Sequence, residues 1–157
     1  MSLSRLVAKV QRYNPSSDIA LIRKAYVFIA NAYPKSWESA SHTDLLSQAL
    51  GLAGILTEYM VDDITIAAAL LHDILRITPI TANELRKNFS KEIVDILVVF
   101  KNIRDLGYGS IESKSPPSLV LKYMLSQIHD IRIIYLLLSH RIHYLRANVL
   151  ISNTFVL

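Results

Sequence analysis

His72 and Asp73 stand side by side in Asp63-Ile-Thr-Ile-Ala-Ala-Ala-Leu-Leu-His72-Asp73-Ile-Leu75, an otherwise apolar stretch of helical character. An imidazole beside a carboxylate in such surroundings is costly unless the two are paired or bind a metal. Together they offer one nitrogen and one oxygen donor, a mixed set that suits a catalytic divalent cation. Arg76 and Ile77 follow, where such a site would want further carboxylates. A second polar cluster closes the apolar helix that begins at Asp130. There His140 and His143 are three positions apart and share a face. Packing the two helices together would bring His72, Asp73 and His140 to one point. Standing alone, His72 would read as a core histidine satisfied by a neighbour.

The elements that must position these residues are helical. Leu3, Leu6, Val7 and Val10 recur at helical spacing, and Asn14-Pro15-Ser16-Ser17 breaks that first helix. Ser17 or Asp18 then caps a second helix running to about Tyr33. Pro34 to His42 reads as a polar loop. A third helix spans about Thr43 to Tyr59, with Leu46, Leu50, Ala53, Ile55 and Leu56 available to a core. Asp62 and Asp63 favour the start of a fourth helix, which carries His72-Asp73 and stops near Thr78-Pro79. Thr81-Ala-Asn-Glu84 is a capping box opening a short fifth helix. Ser90 caps a sixth, faced by Ile93, Ile96, Leu97 and Phe100. Gly107 to Pro117 is the longest break. Two closing helices, about Ser118 to Gln127 and Asp130 to Ala147, complete the pattern. The apolar tail from Val149 to Leu157 has no assignment and suggests packing on something.

Composition narrows the functional classes. The chain has 157 residues, of which 52% are hydrophobic and four are glycine, a balance that favours one compact helical domain over residues 1–157. It contains no cysteine, which removes disulfides, thiolate metal sites and a thiol nucleophile. The net charge of +4 is mild and the basic residues are scattered, so no nucleic-acid partner is expected. No stretch reaches the roughly 18 apolar residues of a membrane span, and no signal peptide is evident. The expected setting is cytoplasmic, with no membrane partner.

Here the motifs gain a family likeness. The run Asp63 to Ile74 resembles the His-Asp helix of the RelA/SpoT family. The run Asp130-Ile-Arg…Leu138-Ser-His140-Arg-Ile-His143-Tyr144-Leu-Arg146 is similar to that family's later metal-site helix. Thr81-Ala-Asn-Glu84…Asn88-Phe89…Glu92-Ile-Val94 resembles the segment between them, and Ala53-Gly-Ile-Leu56 the helix before. The likeness extends from about Ala20 to Ala147, with order and spacing in agreement. It implies an all-α fold, an HD-domain-type helical bundle of about seven to nine helices. The activity it implies is metal-dependent removal of pyrophosphate from the 3′ position of ppGpp and pppGpp, typically with manganese.

The family's metal set is an early His, the His-Asp pair and a late Asp. By resemblance His72 and Asp73 are kept, Gln48 stands at the early His, and His140 stands at the late Asp. Arg76 and Ile77 replace an acidic pair that would orient and activate water. Tyr144 replaces an Asn that resembles a nucleotide contact, and Lys35 to Ser41 replaces a basic loop. Arg76 stays protonated near neutral pH and cannot act as a general base. Its charge also opposes a cation nearby. The expectation is a degenerate HD domain of RelA/SpoT type with no intact catalytic residue and no cofactor, regulatory or structural toward an adjoining alarmone synthetase domain. A guanine nucleotide (ppGpp, GDP or GTP) is its expected ligand, and the chain is expected to be the N-terminal piece of a longer protein. Two alternatives stand beside it. One is an active hydrolase, with His72, Asp73 and His140 holding manganese and Gln48 at the fourth position. The other is an interaction module or homo-oligomer with no nucleotide.

Overall fold

The computed structural model describes residues 1–33, 41–106, 118, 122 and 125–154, of which 41–44 and 147–154 by backbone alone. Among them every regular element is helical and there is no strand. Helix α1 (Leu3–Tyr13) starts at Ser2, whose hydroxyl accepts from the Arg5 N–H. Helix α2 (Ile19–Ala32) is capped by Asp18, which accepts from the Leu21 N–H at 2.9 Å. Helix α3 (Ser41–Leu56) passes into a 3₁₀ turn over Thr57–Tyr59 and ends at Met60 in the left-handed region, φ 51°. Helix α4 (Asp63–Leu71) is capped by Asp62, which accepts the Thr65 N–H at 2.7 Å. The single helix expected from Asp62 to Pro79 is two: α4 stops at Leu71 and α5 (Ile74–Ile77) restarts after His72-Asp73.

Helix α6 (Ala82–Arg86) carries the capping box, Thr81 and Glu84 each bonding the other's backbone N–H. Helix α7 (Lys91–Asp105) is capped by Ser90. Helix α8 (Ile131–Thr154) begins behind Asp130, which accepts the Arg132 N–H at 2.9 Å, and runs beyond the Ala147 expected from sequence. The backbone of Val149 to Thr154 is thus helical rather than unassigned. The loop expected from Pro34, the break from Gly107 to Pro117 and most of the helix expected over Ser118 to Gln127 lie outside the described residues.

Helix α4 is the hub. It packs on α2, α3 and α7, and also touches α8. Thr65 through Leu71 are all buried, as a helix apolar all round requires. Helix α8 crosses α3, where Gly51 allows the approach: a Cβ there would clash with the edge of the His143 ring. Arg132 fixes the start of α8 by bonding Asp130, Glu92 of α7 and Asp62 of α4. One guanidinium therefore ties three helix starts together. The candidate site lies where the far ends of α4 and α7 meet the middle of α8.

Candidate functional site

The helix is interrupted at His72-Asp73, and the Ala69 carbonyl changes partners there. In a continuous helix the Ala69 carbonyl would accept the Asp73 N–H. Here it bonds the His72 N–H at 3.4 Å and His72 Nδ1 at 2.9 Å. This capture accompanies the end of α4 at Leu71, beside the imidazole of His72. It also fixes the ring. Nδ1 beside a carbonyl must donate, so Nε2 carries a proton only in the imidazolium form. Nε2 in turn faces Asp73 Oδ2 at 3.3 Å. A backbone carbonyl orienting one ring nitrogen so that the other faces a site is the arrangement seen behind metal-binding histidines.

Helix α8 brings His140 to the same point. The His72 and His140 rings are 5.8 Å apart, and both lie edge-on to Phe100 of α7, at 6.1 and 6.0 Å. His72, Asp73 and His140 each offer a donor atom within 4.8 Å of the others, and those three can hold a metal ion. His72 and Asp73 are buried; His140 is half-buried. Gln48 is half-buried on α3, three positions before Gly51 and so on the face that α8 crosses. Of the other histidines, His129 is exposed and the side chain of His42 lies outside the described residues.

Sequence reasoning missed Arg104. From the end of α7 its guanidinium donates to Asp73 Oδ1 and lies over the Phe100 ring, 5.7 Å from its centre. The side chain is only 19% exposed. Arg76 adds a second guanidinium at 3.4 Å from the same oxygen and also pairs with Asp105 at 3.4 Å. A faint signal existed: Arg104 is four residues after Phe100, at the edge of the apolar face of α7. Nothing local pointed it at Asp73, 31 positions away.

The electrostatics follow from this ring of cations. Burial would raise the Asp73 carboxyl, but His72, by charge and hydrogen bond, and then Arg104 and Arg76 outweigh it and hold it far below the carboxylate range. Burial, then Arg104 and His72, push His140 down to about 4, so its imidazole is neutral at pH 7. The buried Tyr33 phenol is raised, by burial first and then by the Asp73 charge.

The donor geometry fits a metal, but the charges around it do not. A divalent ion held by these donors would share Asp73 with the Arg104 guanidinium, whose like charge opposes its binding. Asp73 is the one carboxylate in the group of three and already has two guanidiniums on one oxygen. Hard divalent ions draw their affinity from several carboxylate oxygens. At neutral pH Arg76 and Arg104 remain cations, so neither can take a proton from water.

Helices α4 and α8 converging on a His-Asp step define a class, and the chain belongs to the HD domain family, whose pattern matches residues 25–151. Its kinship lies with proteins of the RelA/SpoT type. It is 34% identical over 142 residues to "GTP pyrophosphokinase rsh" of Brucella melitensis, covering 90% of this chain and 19% of that protein. To "Bifunctional (p)ppGpp synthase/hydrolase SpoT" of Escherichia coli it is 27% identical over 146 residues, 93% of this chain and 20% of that protein. The chain thus spans about a fifth of the length of these curated relatives. No described helix is long and apolar enough to cross a membrane.

Proposed function

We propose that this chain is a non-hydrolytic HD domain of guanosine tetraphosphate metabolism, regulatory or structural toward an alarmone synthetase domain. The observation that carries the reading is the engagement of Asp73 by Arg104 and Arg76. A carboxylate so occupied is a poor metal ligand. Arg76 and Ile77 also stand where water activation needs acids, and neither can supply it. The relatives' names supply the link to ppGpp, and a guanine nucleotide is the proposed ligand. The cytoplasm is the proposed setting.

A second reading rests on the donor group itself. His72, Asp73 and His140 within 4.8 Å form a two-His, one-carboxylate set of the kind that holds transition metals. An active pyrophosphohydrolase with altered ligands would use it. Incubation with ppGpp and excess manganese separates the readings. The proposal expects no pyrophosphate release above that of the His72→Ala variant. Release by the native chain that His72→Ala abolishes would install the hydrolase reading instead.

A further inference from the structure

We propose that the Arg104 guanidinium has taken the place of the cation, making this a latent metal site closed by an internal charge. The inference rests on the non-hydrolytic reading and supplies its physical cause. Three observations support it. First, Arg104 reaches the Asp73 carboxylate across 31 positions of sequence and bonds Oδ1, while the other oxygen faces His72. Second, the guanidinium lies over Phe100, whose ring also meets the His72 and His140 rings, so the charge and the three donors share one small volume. Third, the chemistry matches: a guanidinium is a permanent cation whose planar donors suit a carboxylate.

The assignment explains why Asp73 survives in a site that has lost its acidic neighbours. A buried carboxylate with no counter-charge is unfavourable, and an arginine supplies that charge without metal. Arg76 is a poorer candidate for the role. Its side chain is 35% exposed and divided between Asp73 and Asp105. The His72 ring meanwhile keeps the orientation a metal would need, through Ala69. Removing the charge of Arg104 would therefore uncover a ligand set that is already built.

The test is manganese binding by the whole chain, read as a thermal shift and by equilibrium dialysis. The native chain should not respond. Arg104→Gln keeps a neutral donor for Asp73 and should bind manganese at least roughly tenfold more tightly. Arg104→Met should do the same, so one variant's failure to fold leaves the other to decide. Arg104→Lys should stay unresponsive, because the charge remains. Adding Asp73→Asn to Arg104→Gln should abolish the gain. Folded Arg104→Gln and Arg104→Met with no gain would overturn this inference and leave the proposed function standing. A gain in Arg104→Lys equal to that in Arg104→Gln would also overturn it. Tight binding by the native chain would overturn both.

Discussion

Separating Asp73 from Arg104 gives the sharpest stability prediction. Breaking a buried ion pair from one side costs about 3–5 kcal/mol, because the remaining charge is stranded. Here the loss is smaller on both sides. Asp73 retains His72 at 3.3 Å and Arg76 at 3.4 Å, and Arg104, 19% exposed, can swing toward water. Each of Asp73→Asn and Arg104→Gln should therefore cost about 2–3 kcal/mol. For a chain of this size that is a fall in Tm of roughly 5–10 °C. The double variant strands no charge and should cost little more than either single change. The coupling between the two positions should thus be about 2 kcal/mol. Urea and thermal unfolding at pH 7 with EDTA present measure all four proteins. Single losses that add to within about 0.5 kcal/mol would refute a direct pair.

Two further outcomes follow from neighbouring residues. His140 titrates in the folded protein at about 4 instead of 6.5, so folding favours its neutral form. Its contribution is therefore complete above pH 6.5 and is lost as pH falls toward 4, by about 2 kcal/mol once its partial exposure is discounted. His140→Asn should flatten the stability profile in that window, and an unchanged slope would refute the assignment. Gly51→Ala gains about 1 kcal/mol of helix propensity but sets a methyl against the His143 ring. The full gain should appear in unfolding experiments only when His143→Ala is also present; equal effects in both backgrounds would show that α3 and α8 do not meet there.

Much of the frame was legible because helix starts announce themselves locally. Asp18, Asp62, Thr81 with Glu84, and Ser90 all cap as their side-chain chemistry demands. The convergence of His72 and His140 was legible too, since polar groups inside apolar helices need one another. The break at His72 was not. There the Ala69 carbonyl takes the His72 imidazole as a partner, and apolar periodicity carries no trace of that contact. Arg104 was hidden for a different reason. Its partner lies on another helix, and only the packing of α7 on α4 brings the two together. The extension of α8 to Thr154 was missed because the apolar tail has no clear stop signal, and its length is set by more than capping.

The imidazole signals of His72 and His140 give the most direct test of the central claim that this HD site does not take a metal. In nitrogen-resolved NMR spectra at neutral pH, His72 should show a proton on Nδ1, held by the Ala69 carbonyl. Manganese is paramagnetic and would broaden both rings beyond detection if it bound between them. Both histidine signals should persist in excess manganese. Loss of the His72 and His140 signals together at about one equivalent, reversed by Asp73→Ala, would contradict it.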